Sequence, residues 1–126
     1  MRAKQNILVV DDDLLILEMI KSTLSKSGCQ VSTYSDPHKA ADAILNSSWD
    51  LVITDYMMPQ KNGLELAHTI KEHIPDIPIL FISGNSFKSQ KDMFTLNKIL
   101  GTASEVLGKP FSPNELITIV NELLET

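Results

Sequence analysis

Short apolar runs alternate with helical spacing along this chain, and the alternation repeats five times. "NILVV" at 6–10 is a continuous β-branched run that ends at three aspartates, so it reads as a buried strand. From Asp13, the residues Ile16, Leu17, Ile20 and Leu24 recur at helical spacing, and Ser27-Gly28 supplies a left-handed stop. "QVSTY" at 30–34 predicts a second strand. Asp36-Pro37 then opens a helix with a capping residue and a first-turn proline, carried by Ala40, Ala41, Ile44 and Leu45. "DLVIT" at 50–54 is the third strand. Asn62-Gly63 turns into a helix with Leu66 and Ile70 on one face, stopped by Pro75. "IPILFIS" at 77–83 is the fourth strand, nearly all apolar. A helix is expected across 87–100, and "EVLG" forms a short fifth strand before Lys109-Pro110. Ser112-Pro113 caps a last helix, with Glu115 placed to complete a capping box.

Alternating βα units with continuous apolar strands imply a parallel sheet covered by helices on both faces. Right-handed crossovers leave few topologies, and five strands suit the flavodoxin-like (βα)5 three-layer sandwich with strand order 2-1-3-4-5. In such a sheet, ligands sit at the strands' carboxyl ends where the order reverses, here between the first and third strands.

That location changes the reading of several polar residues. The first strand delivers Asp11 and Asp12, the third Asp55, the fourth Ser83 and the fifth Lys109. Singly, each has an ordinary explanation. "DDD" suits a helix N-terminus, Asp55 before Pro59 suits a turn, and Ser83 and Lys109 suit exposed loops. Arriving together at successive strand ends, they form a constellation. Three carboxylates in one cleft repel unless a cation joins them, and an all-oxygen set suits Mg²⁺ or Mn²⁺. A carboxylate there can attack phosphorus, while the metal, Lys109 and the Ser83 hydroxyl answer the charge on the phosphoryl oxygens.

With these residues in place, the chain resembles the receiver domain of two-component response regulators (CheY-like). The stretches "ILVVDDD", "DLVITDYMMPQKNG", "PILFISG" and "LGKPF" carry the resemblance, which covers essentially all 126 residues as a single domain. It implies phosphorylation of Asp55 by a sensor histidine kinase or a phosphotransfer protein in a Mg²⁺-dependent reaction. It also implies direct metal ligation by Asp12 and Asp55, Asp11 acting through water, and the Met57 backbone carbonyl completing the set. Ser83 matches the switch hydroxyl and Lys109 the phosphate-pairing lysine, with a cis Lys109-Pro110 bond. The family commonly has Tyr, Phe or His three residues before the lysine, and Val106 stands there instead. Phosphorylation chemistry is expected to survive that change, whereas the usual aromatic readout is called into question. A homodimer through the face of the fourth helix, fifth strand and fifth helix belongs to the same implication.

Composition narrows the alternatives. A net charge of −5 gives no basic footprint for nucleic acid, and no apolar run reaches membrane-spanning length. The start "MRAKQNILVV" lacks a signal-peptide layout, and a single cysteine, Cys29, fits a reducing cytoplasm. Cys29 is expected in or near the core, and Trp49 as a packing anchor at the sheet's lower edge. His68 and His73 point roughly 140° apart on their helix, so they make no metal pair. The last helix spreads its apolar residues over roughly 160°, wider than one core face needs, which leaves an edge that could take a partner. No output domain is expected within these residues. An aspartyl phosphatase of the haloacid-dehalogenase type would need an acid at Met57. A phosphate-cradling cofactor site would need glycines where "DDDLL" stands. The chain is thus expected to catalyse only its own phosphorylation and dephosphorylation.

Overall fold

The computed structural model describes residues 4–55, 63–84 and 104–125. Five parallel strands, β1 (Asn6–Val10), β2 (Gln30–Tyr34), β3 (Leu51–Asp55), β4 (Ile79–Ser83) and β5 (Ser104–Gly108), form one sheet in the order β2-β1-β3-β4-β5. The described helices are α1 (Leu14–Lys26), α2 (Pro37–Asn46), α3 (Gly63–His73) and α4 (Pro113–Leu124). The helix expected across 87–100 lies outside the described residues.

Burial explains the strand order. Every residue of β3 and β4 is buried, as is β1 from Ile7 onward, while β2 at the sheet edge is only half-buried. The alternation of side chains along each strand divides the core in two. On one face Leu8, Val10, Val52, Ile79 and Phe81 meet Ala40 and Ile44 of α2 and Leu66, Ala67 and Ile70 of α3. On the other, Ile7, Val9, Ile53, Leu80 and Ile82 meet Leu17, Ile20 and Leu24 of α1 and Leu116, Val120 and Leu123 of α4. Helices therefore cover both faces, and the three-layer sandwich holds.

Local chemistry sets the element ends. Gly28 takes φ +93, and the Gly28 and Cys29 amides donate to the carbonyls of Ser25 and Leu24. These two bonds satisfy carbonyls that α1 would otherwise leave open, in the arrangement a left-handed glycine permits. Ser112 and Glu115 form the reciprocal capping box of α4. β4 begins at Ile79 rather than Ile77, since Pro78 has no amide to give a ladder and the Ile77 amide turns back to Ile74 O. β3 is shifted one residue forward from expectation, because the Asp50 carboxylate accepts from the Asn6 amide and closes the strand's start. Trp49 is half-buried against the α2–α3 core and donates through Nε1 to Ala43 O at 3.2 Å. Cys29 is likewise half-buried, against the α1–α4 core. In α4, Leu116, Val120 and Leu123 are buried, whereas Ile117, Ile119 and Leu124 are half-buried. His68 and His73 are both exposed.

Candidate metal and phosphoryl site

Strand register brings the site together. Val10 pairs with Thr54, so the next residue of each strand, Asp11 and Asp55, arrive side by side where β1 and β3 end. Ser83 pairs with Gly108, and the Lys109 amide donates to Ser83 O at 2.8 Å, so the ladder continues one bond past β5 and delivers Lys109. The Lys109-Pro110 bond is cis, as expected.

The carboxylates of Asp11, Asp12 and Asp55 present oxygens all within 4.8 Å of one another. Asp11 is fully buried and Asp55 nearly so, while Asp12 is exposed at the mouth. Lys109 Nζ lies 3.2 Å from Asp11 Oδ2 and 3.6 Å from Asp55 Oδ2. The contact to Asp11 Oδ2 is one of charge without an aligned hydrogen bond, so that buried oxygen keeps lone pairs available. Asp11 Oδ1 accepts from the Asp13 amide at 2.9 Å. The Ser83 hydroxyl is 2% exposed and has no hydrogen-bond partner among the described residues. Buried hydroxyls are rarely left so, and functional sites are where such exceptions concentrate.

The electrostatics follow from this crowding. Burial, reinforced by the charge of Asp55, pushes the Asp11 carboxyl up to about 6, against the pull of the Asp13 amide and Lys109. Burial works to lower the Lys109 pKa, but the charges of Asp11 and Asp55 outweigh it and hold the ammonium above its ordinary value. One lysine thus faces more negative charge than it neutralises, and the donor set of hard carboxylate oxygens fits a small divalent cation.

Asp11, Asp12, Asp55 and Lys109 are brought together, and Ser83 stands on the strand next to Asp55. Met57, expected to offer its carbonyl, lies outside the described residues. Two contributors escaped the sequence reading. Thr54 is fully buried and donates its hydroxyl to Asp55 O at 3.1 Å, tying down the end of β3. Asp13 caps α1 through bonds to the Leu15 and Ile16 amides. An aspartate just ahead of the first helical residue signals such a cap, but the run of three acids hid the division of labour within it.

The family model for the response regulator receiver domain matches residues 7–121. The chain belongs to the response regulator receiver family. It is 34% identical over 122 residues to the transcriptional regulatory protein GltR of Pseudomonas aeruginosa, covering 95% of this chain and 49% of that protein. Among solved structures it resembles Vibrio cholerae chemotaxis protein CheY4, with TM-score 0.86 and 28% identity over 96% of this chain and 99% of that one. A response regulator receiver protein from Sinorhizobium medicae matches with TM-score 0.84 and 30% identity, over 98% of this chain and 96% of that one. This receiver domain spans about half the length of curated relatives such as GltR and PhoB. Membership of a signalling family leaves no place for the haloacid-dehalogenase alternative. No described helix of the receiver is long and apolar enough to cross a membrane.

Proposed function

We propose that residues 1–126 act as one receiver domain in which Asp55 accepts a phosphoryl group from a histidine kinase or phosphotransfer protein. The observation that carries this reading is the Asp55 carboxylate at the tip of β3, flanked by Lys109 at 3.6 Å and by two further acids. A carboxylate oxygen of Asp55 forms a bond to phosphorus as the P–N bond to the donor imidazole breaks, leaving an aspartyl phosphate. A divalent cation, Mg²⁺ or Mn²⁺, held by Asp11, Asp12 and Asp55 supplies positive charge at the phosphoryl oxygens when bound. Lys109 shares that task from the opposite strand pair. Ser83 Oγ is the donor placed to turn toward a phosphoryl oxygen, and its lack of any other partner leaves it available to do so.

In this role the domain turns over no separate substrate and catalyses only its own phosphorylation and dephosphorylation. Its setting is the cytoplasm, where kinase phosphohistidines are made. GltR and PhoB are named as transcriptional regulatory proteins, which supports control of gene expression as one output for such a domain. The test is incubation with a small phosphodonor and Mg²⁺, followed by mass-spectrometric location of the added phosphoryl group. Label is expected on Asp55 and absent from Asp55→Ala. An equal yield in that variant refutes the assignment.

A further inference from the structure

The function proposed above uses the first two aspartates of "DDD" and gives the third no role. Asp13 is nevertheless joined to the site by a short chain of bonds. Its amide donates to Asp11 Oδ1 at 2.9 Å, which fixes one oxygen of that carboxylate and turns the other toward Lys109. The amide stays there only while residue 13 keeps its extended conformation, φ −87 and ψ 107, at the point where helical geometry begins.

Local bonds hold that conformation. Asp13 Oδ1 accepts from the Leu15 amide at 3.0 Å and more weakly from the Ile16 amide at 3.5 Å, while Asp13 O accepts from the Leu17 amide. Packing contributes little to the first two residues, for Leu14 is 66% and Leu15 77% exposed, and apolar anchoring begins with half-buried Ile16 and buried Leu17. A helix start whose first residues lack apolar anchors leans on its cap.

We infer that Asp13 is a positioning residue for the Asp11 carboxylate, acting through the turn that its own side chain caps. In the one respect of cation binding, this rests on the reading of Asp11 as part of the metal set. Losing a group that orients a metal-binding side chain typically costs about 10–100-fold in metal affinity. Asp13 also carries charge toward Lys109, so capping and charge must be separated. Asparagine caps as well as aspartate but carries no charge, whereas alanine removes both cap and charge.

The experiment compares wild type, Asp13→Asn, Asp13→Ala and Asp36→Ala in the full 126-residue chain. Asp36 caps α2 with a bond to the His38 amide and to no site residue, so it reports the cost of losing a cap elsewhere. Mg²⁺ alone is titrated against each protein by its thermal midpoint, and protection of the residue-13 amide is measured by hydrogen exchange without metal. Asp13→Ala is expected to bind Mg²⁺ about tenfold more weakly, at the lower end for a group supporting a ligand. Asp13→Asn should stay within about twofold of wild type, since the cap is kept. Asp36→Ala should melt earlier and bind Mg²⁺ as wild type does. In the metal-free protein, residue-13 protection should fall in Asp13→Ala and persist in Asp13→Asn. Wild-type affinity in Asp13→Ala, or equal losses in the Asn and Ala variants, would overturn the inference. Absence of Mg²⁺ binding in wild type would instead remove the metal reading. Amide protection would then decide the role of Asp13 by itself, with unchanged protection in Asp13→Ala counting against it.

Discussion

Lys109 Nζ stands closer to Asp11 Oδ2, at 3.2 Å, than to Asp55 Oδ2, at 3.6 Å. The lysine therefore leans toward the acid that follows β1 rather than toward the one that ends β3. Under the proposed function, a cation at Asp11 would take over that neutralisation and free the ammonium for the phosphoryl oxygens.

Replacing Lys109 with methionine, which keeps the length of the stem, should expose this exchange. The metal-free protein is expected to lose roughly 1–3 kcal/mol, less than the ~3–5 kcal/mol for breaking a fully buried pair, since a quarter of the lysine remains wet. Mg²⁺ should then raise the melting temperature of Lys109→Met more than that of wild type. An equal or smaller rise in calorimetry would show that the lysine and the cation do not serve the same charges.

Acidity should tune the carboxylate cluster. Asp11 titrates at about 6 in the folded chain against 3.8 ordinarily, so between these values the native state holds a proton that the unfolded chain has released. Stability of the metal-free protein should thus fall as pH rises through that window, by an amount on the order of 3 kcal/mol if this group acts alone. Below the window both states are protonated and above it both are ionised, so the contribution is constant on either side. Urea unfolding from pH 4 to 7 checks this, with Asp11→Asn expected to flatten the slope. Saturating Mg²⁺ should flatten it too, since a bound cation favours the ionised carboxylate and draws the folded-state value back down.

The Ser83 hydroxyl offers a separation of stability from function. Because Oγ is buried without a partner, Ser83→Ala should leave unfolding free energy within about 0.5 kcal/mol of wild type or raise it slightly. The same variant should be slower in phosphoryl transfer, by about the 10²-fold associated with losing one well-placed donor. Phosphorylation kinetics beside a denaturation curve would decide the matter. A large stability loss with unchanged kinetics would reassign the hydroxyl to packing.

Val106 pairs in register with Phe81 and packs, half-buried, against the α2–α3 core. It has no ring to swing outward, so the response to phosphorylation should concentrate at Ser83–Gly84 and the residues just after them. β5 should respond less. Hydrogen exchange with and without a phosphoryl mimic is the check, and protection changes centred on Val106 and α4 would contradict it.

Much of this architecture was legible because local signals agreed with global ones. Strand runs, Gly28, the Asp36 cap and the Ser112–Glu115 box each specify an element from a few adjacent residues, and the strand order follows from chirality. The strand-end rule also placed the five chemistry-bearing side chains on one edge before any distance was known. What could not be read was geometry that depends on pairing between distant strands. Only the β4–β5 register, extended by the Lys109 amide on Ser83 O, brings the lysine between two acids and decides which is nearer. The split within "DDD" was hidden for another reason. Three identical side chains take three fates, buried carboxylate, exposed carboxylate and helix cap, according to which way the chain turns after β1.

The register just described has a bearing on how the protein is made. Asp11, Asp12 and Asp55 all lie in the first half of the chain, whereas Ser83 and Lys109 lie in the second. A polypeptide still being synthesised therefore displays its acids long before the lysine that answers them has been added. Until β5 joins the sheet, the acids lack the lysine that stands 3.2 Å from Asp11 and 3.6 Å from Asp55 in the finished fold. If Asp55 accepts a phosphoryl group as proposed, its full set of charged neighbours exists only once β5 has joined the sheet.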